Sequence, residues 1–362
     1  SLLAGSAVFA SVMTADAADI RILPVDTAKF WSGVKFDFDV EVSNAKDLQD
    51  VDITINGKPA ADVLGRPLEK QVLDNGVTAY RANDVTFKKT GDYVVNVTAS
   101  DAEGKSAAAA SYKVVQEKTA RPAKNVILFV GDGMSLQARE IARILSKGQA
   151  NGKYNDLLAM EKLDHNAIIT TSGYDSLVTD SANSASAYST GHKSVVNAMG
   201  VYENSTADPL DDPRVETISE VLKRTRGMSI GIVTQAETTD ATPAAMVGHT
   251  RGRALQDYLA KDYLADYHRP DVIMGGGSAR YLPSSVMGSK RKDNFDVIQA
   301  FKDKGYTFAT TAEEMKAAPA DKPLLGLFHT GTMNVYLDRE MLKNPKVLKG
   351  FTDQPNLMDK IG

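Results

Sequence analysis

Asn125-Val126-Ile127-Leu128-Phe129-Val130-Gly131, followed by Asp132-Gly133-Met134, is the stretch whose reading settles the fold class. Five apolar residues run from Val126 to Val130 without alternation, the pattern of a parallel strand covered on both faces. Gly131 and Gly133 free the backbone for a sharp turn, which puts Asp132 at the strand's carboxyl end. That edge is where open α/β sheets bind ligands, and a hard carboxylate there commonly holds a divalent metal. Alone the motif is weak, because Gly-Asp-Gly is also a routine turn. Further along, Ala167-Ile168-Ile169-Thr170, Ile230 to Val233, Val272 to Met274 and Leu325 to Leu327 are short apolar runs, and Val215 to Arg224 has the period of an amphipathic helix. This alternation predicts α/β architecture. Gly275-Gly276-Gly277 lacks the spacing of a dinucleotide fingerprint and reads as a tight loop after a strand.

A second element is Thr179-Asp180-Ser181-Ala182-Asn183-Ser184-Ala185-Ser186-Ala187, closing with Ser189-Thr190-Gly191. Its alanines favour helix, and Asp180-Ser181 places a hydroxyl among the unpaired N–H groups of a first helical turn. Such a terminus holds anions, so the serine can meet a bound phosphate. The plain alternative is an N-cap, and for a lone Asp-Ser pair it would win. A third element, Ser229 to Thr234 and then Thr239-Asp240-Ala241-Thr242-Pro243, repeats strand, polar loop and helix start. Asp240 and Thr242 are close enough to serve one cation or its water shell, and Pro243 suits a first helical turn. The segment ends His249-Thr250-Arg251-Gly252-Arg253, and on composition either arginine could grip two phosphoryl oxygens.

In this order the three elements resemble the alkaline phosphatase family, and the chain is similar to its bacterial members from about Lys124 onward. Asp271 to Gly277, Leu324 to Phe328 and Gln354-Pro355 look like later landmarks of that family. The resemblance implies a three-layer α/β/α sandwich, incomplete at the C-terminus. It implies a metal-dependent phosphate monoester hydrolase acting through a phosphoserine, with two Zn2+ and one Mg2+. Ser181 would be the nucleophile, meeting one zinc, and Asp132 would bridge a zinc and the magnesium. Thr242 would be a magnesium ligand, with Asp240 near that metal at a position that varies in the family. Arg253 rather than Arg251 falls at the family's distance from Thr242 and His249, so it would clamp the phosphate, with Asp180 orienting it. Ser186 stands where many members carry threonine. Small phosphate monoesters are the implied substrates, inorganic phosphate the product and inhibitor, and a homodimer an assembly it allows. The alternatives are a phosphodiesterase or sulfatase of the same superfamily, or an inactive phosphate-binding or surface-adhesion protein on the same fold.

A serine without an adjacent general-base histidine needs another activator, and a metal is the plausible one. His165, His192, His249, His268 and His329 lack the paired spacing of a metal-binding helix, and none matches a family zinc position. They read as surface or hydrogen-bonded histidines. The family's remaining metal ligands would follow Gly362, so the chain as given is expected to lack phosphatase activity.

Leu2 to Ala10 reads as the apolar core of a secretory signal, with Ala15-Asp16-Ala17 as a small-residue cleavage site, which makes residues 1–17 a partial leader and the location periplasmic or extracellular. The absence of cysteine rules out a disulfide scaffold and leaves export open. A formal net charge of −4 offers no surface to track a polyphosphate, so a dedicated nucleic-acid partner is not expected. Residues 18–116 have another texture. Val34, Phe36, Phe38, Val40 and Val42 alternate strictly, and similar runs recur at Val51 to Ile55, Tyr93 to Val97 and Ser111 to Val115. Asn56-Gly57, Asn75-Gly76, Gly91-Asp92 and Asp101 to Gly104 supply turns, giving the spacing of a small all-β sandwich that resembles immunoglobulin-like modules. Residues 117–124 read as a polar linker, and the resemblance makes 125–362 the N-terminal part of the family's catalytic domain.

Overall fold

The computed structural model describes residues 18–116 and 123–361. The leader read at 1–17 and most of the linker read at 117–124 lie outside the described residues. Residues 18–116 build strands β1 (Asp19–Leu23), β2 (Lys29–Trp31), β3 (Lys35–Ser43), β4 (Asp50–Ile55) and β5 (Lys58–Pro59), helix α1 (Ala60–Leu64), then β6 (Glu69–Val72), β7 (Thr78–Thr86), β8 (Gly91–Ser100) and β9 (Lys105–Val115). They form two sheets, ordered β1-β3-β7-β6 and β2-β9-β8-β4-β5. The pairing is antiparallel except where β2 runs parallel to β9. Asn56 and Gly57, at φ 50° and 75°, make the two-residue turn between β4 and β5 that positive φ at both positions allows. Phe36, Phe38 and Val40 on one face of β3 meet Val95, Val97, Tyr112 and Val114 of the opposite sheet in one core.

The other face of β3 is buried as well. Asp37, Asp39 and Glu41 alternate with those apolar residues, and all three are at most 4% exposed. The chain at 203–216 covers them. The Arg214 N–H donates to Asp37 Oδ2 (3.0 Å), the Asp37 N–H donates to the Arg214 carbonyl (2.8 Å), and Ser205 donates from its N–H and its hydroxyl to Glu41 Oε1. Arg81 pairs with Asp37 at 3.0 Å. Asp39 Oδ1 has no partner, and burial, with Glu41 next to it, pushes the Asp39 carboxyl up to about 7.

After helix α2 (Leu136–Lys147), the small hairpin β10 (Gln149–Ala150) and β11 (Lys153–Tyr154), and helices α3 (Ser181–Thr190) and α4 (Ile218–Arg226), the chain enters a parallel sheet. Its strands are β12 (Gly231–Glu237), β13 (Val272–Gly276), β14 (Thr307–Ala309) and β15 (Leu324–Leu327), ordered β12-β13-β15-β14. Between them lie α5 (Ala241–Ala244), α6 (Gln256–Asp262), α7 (Val297–Asp303) and α8 (Ala312–Lys316). Ile232, Ile273 and Leu325 face a cluster with residues of α3, α5, α6 and α7. Val233, Val272, Met274 and Leu324 face the opposite way, toward Met315 of α8, Phe328 and Met333. Apolar contacts on both faces are what the unalternating runs on these strands require. The loop after β13 is tight, as a Cβ on Gly276 would lie 2.1 Å from the Gly331 carbonyl oxygen.

Two expected strands are corrected. Residues 125–131 and 167–170 form no strand, and Val126, Ile127 and Phe129 are each 68% exposed. An apolar run shows that burial is favourable but does not supply the neighbouring strand that must take its hydrogen bonds. The four sheet strands described here pair among themselves, and none pairs with either segment. Among the described residues no helix is long and apolar enough to cross a membrane.

The Asp39 environment carries a pH signature. Its folded pKa lies above the unfolded value near 3.8, so ionisation opposes folding, and stability falls as pH rises from about 4 through about 7. Asp39→Asn is therefore expected to stabilise the protein at pH 8 by on the order of 2 kcal/mol and to have much less effect at pH 4. Urea unfolding of both proteins at the two pH values checks this.

Candidate active site

Helix α3 begins where the sequence places it. Asp180 is the N-cap, its Oδ1 accepting from the Asn183 N–H at 3.1 Å, while the Asn183 side chain accepts from the Asp180 N–H at 3.1 Å. Both ends of the capping box are closed, so Ser181 is held as the first helical residue. Ala182 and Ala185 on the buried side share a cluster with Ala241, Ala244 and Ala245, at or just after α5, all fully buried. Side chains this small let two helices approach closely. The start of α3 is thereby brought beside the start of α5, where Asp240 is the N-cap.

Arg253 joins the two starts. One guanidinium nitrogen, Nη1, donates to Asp180 Oδ2 at 2.8 Å and to Ser181 Oγ at 3.1 Å, and Nη2 donates to Asp240 Oδ1 at 2.9 Å. Its backbone is fixed through the Asn197 carbonyl at 3.1 Å, and the Asn197 N–H in turn donates to Asp180 Oδ1 at 3.3 Å. Partial burial acts against the Asp180 carboxylate, but the Asn183 N–H and the guanidinium outweigh it and hold its pKa below the ordinary value. Burial likewise disfavours the Arg253 cation, and Asp180 with Asp240 more than compensate, raising its pKa. The Arg253 side chain is 29% exposed, so it stays within reach of a ligand.

The Thr242 hydroxyl donates to Asp132 Oδ2 at 3.0 Å, which draws the loop after Gly131 to the same helix start. Asp132, Asp180, Ser181, Asp240, Thr242 and Arg253 thus occupy one neighbourhood. Arg251 points elsewhere. Its guanidinium donates to the carbonyls of Asn204, Thr206 and Asp208 and lies 3.5 Å from Asp212, fastening the 204–212 loop.

Among the described residues no histidine bonds to any of these six. His165 is exposed, and His192 is buried against the Tyr202 hydroxyl at 2.8 Å. Burial pushes His192 down to about 4. His329 Nδ1 accepts from the Gly331 N–H. His249 and His268, which the sequence left scattered, converge with Glu220 in a buried group. Sequence reasoning missed this cluster because its members come from α4 and two loops, with no fixed spacing to link them.

The alkaline phosphatase family model matches residues 123–358. Alkaline phosphatase H of Pseudomonas aeruginosa is 32% identical over 243 residues, covering 61% of this chain and 49% of that protein. Alkaline phosphatase of Escherichia coli is 33% identical over 239 residues, 59% of this chain and 48% of that one. Streptomycin-6-phosphate phosphatase of Streptomyces griseus is 33% identical over 230 residues, 57% and 48% respectively. The chain spans about half the length of these curated relatives. Among solved structures, alkaline phosphatase from the Antarctic bacterium TAB5 is similar with a TM-score of 0.44 and 24% identity, covering 59% of this chain and 57% of that one. From the matched span and the relatives that share it, the chain belongs to the alkaline phosphatase family.

Proposed function

We propose that this chain carries the phosphoryl-transfer site of a phosphate monoester hydrolase that works through a phosphoserine on Ser181. The observation that carries the reading is the Arg253 guanidinium, bonded at once to the Ser181 hydroxyl and to carboxylates at two helix starts. A phosphoryl group gripped by that fork has its phosphorus beside Ser181 Oγ, with Asp180 and Asp240 fixing the plane of the guanidinium. Ser181 Oγ then attacks in line as its proton passes to water, and the P–O bond to the leaving oxygen breaks on the far side. That oxygen takes a proton from water, and a second water later cleaves the phosphoserine to inorganic phosphate and free serine. The guanidinium and the amide donors at the start of α3 stabilise charge on the nonbridging oxygens. Small phosphate monoesters are the proposed substrates and inorganic phosphate the product and inhibitor. Export to the periplasm or the exterior is the proposed location. The N-terminal sandwich, immunoglobulin-like in this reading, braces the 203–216 segment that leads into α4.

Asp132, Thr242 and Asp240 are hard oxygen donors, and the Thr242–Asp132 contact already gathers two of them, so magnesium fits here. When bound, it would neutralise charge near the phosphoryl group and orient water. The described residues around Ser181 offer carboxylate and hydroxyl oxygens and no histidine nitrogen, so by themselves they do not complete a zinc site.

Two outcomes test this reading. In the full-length protein, acid quench after exposure to a labelled monoester is expected to leave label on Ser181, and Ser181→Ala is expected to abolish it. Label retained on the variant, or never formed in the unmutated protein, contradicts the assignment. Calorimetric titration with inorganic phosphate is expected to show binding weakened by roughly 2 kcal/mol in Arg253→Ala, the scale of a charge-assisted clamp. Arg251→Ala is expected to leave that affinity in place and lower the melting temperature instead, since its bonds hold the 204–212 loop. Equal loss of phosphate affinity in the two variants removes the distinction.

A further inference from the structure

Away from the phosphate-side residues, Glu220, His249 and His268 form a group whose ligand atoms all lie within 4.8 Å of one another. They are 5%, 6% and 1% exposed. Glu220 is fixed in the first turn of α4 by a closed capping box, its Oε2 accepting from the Thr217 N–H at 2.6 Å. His249 Nδ1 lies 2.9 Å from the Gly200 carbonyl oxygen, and His268 Nε2 lies 2.7 Å from the Asp262 carbonyl oxygen. A carbonyl can only accept, so each of these ring nitrogens carries a proton. Where a ring is neutral its remaining nitrogen is a bare lone pair, and in both rings that nitrogen faces the same carboxylate. His249 Nε2 is 3.0 Å from both Glu220 oxygens, and His268 Nδ1 is 3.7 Å from Glu220 Oε1.

Acceptors facing an acceptor need something positive between them. A proton on His249 Nε2 would satisfy Glu220, but it would leave His268 Nδ1 buried with no hydrogen-bond partner, as it is here. A single cation at the centre satisfies all three. Backbone carbonyls that fix the outer N–H of each imidazole are also the usual support of metal-bound histidines. Ligands ~2.1 Å from a tetrahedral zinc lie about 3.4 Å apart; the two separations from Glu220, 3.0 and 3.7 Å, bracket that value, and every pair lies within 4.8 Å. A cavity of about 510 Å³ reaches Glu220 and His249, giving water access to a fourth position. Arg214 is the nearby opposing charge. Its guanidinium is turned to the Tyr267 hydroxyl at 3.1 Å, and the Asp262 carboxylate lies 3.4 Å from His268 Nε2 on the other side.

We propose that Glu220, His249 and His268 bind a divalent ion of the zinc class, which ties α4 to the loops carrying His249 and His268. The two imidazoles and one carboxylate select zinc or cobalt over magnesium or calcium. The ion is structural and separate from any at Asp132.

The test uses the full chain, stripped with a chelator and then titrated with Zn2+ or Co2+, in the unmutated sequence and in Asp132→Ala, which removes a phosphate-side ligand. Asp132→Ala protein is expected to develop the visible d–d absorption of tetrahedral Co2+, discharged by Zn2+, and to melt at a higher temperature with Zn2+ than without. His268→Gln is expected to lose one bound ion per chain together with that thermal gain, and His268→Cys, which restores a ligand, to recover both. A Glu220–His249 ion pair alone predicts the opposite, with metal content and melting unchanged by His268→Gln, and that result overturns the proposal. So does the absence of a Co2+ band in Asp132→Ala protein, which does not depend on how the His268 variants fold.

Discussion

One guanidinium organises the site. Arg253 sits between carboxylates at the starts of α3 and α5 and holds the Ser181 hydroxyl at 3.1 Å. Without the cation, Asp180 and Asp240 would face each other across a partly buried gap, and the two helix starts would repel. With it, the close alanine contact between α3 and α5 and the polar chemistry at their ends support the same arrangement. The arginine's own backbone is tied through Asn197 to Asp180, so its position is fixed from both ends.

A similar economy joins the N-terminal sandwich to the rest. The acidic face of β3 has its hydrogen-bonding capacity largely taken up by the chain at 203–216 and by Arg81. Asp39 Oδ1 and Glu41 Oε2 are the exceptions, both buried without a hydrogen-bond partner, and the raised Asp39 carboxyl makes this contact sensitive to pH. Arg251 fastens the same 204–212 region from the other side. Two arginines with one glycine between them thus serve different ends, one in a loop anchor and one beside the serine.

Much of this was legible in the sequence because it rests on local rules. The helix start at Asp180-Ser181, the alternation along β3, and the short apolar runs of β12, β13 and β15 were each readable from local sequence. The Arg253 assignment came from resemblance, since composition could not choose between Arg253 and Arg251. Strands β1, β2, β6 and β7 were not read, and the fully exposed β6 shows why, as it carries no burial pattern at all. The run at 126–130 failed in the opposite way, its strong apolar signal meeting no partner strand. The Glu220–His249–His268 group was invisible because tertiary folding alone brings it together, and its polarity emerges only once the backbone carbonyls that fix each ring are in place.

The central claim is that Arg253 and Ser181 form one phosphoryl site. A crystal structure with vanadate, which mimics the in-line transition state, tests it most directly. The account predicts vanadium bonded to Ser181 Oγ, with two equatorial oxygens held by the Arg253 guanidinium. Vanadate bound elsewhere, with Arg253 still paired only to Asp180, Asp240 and an unmodified Ser181, would contradict it.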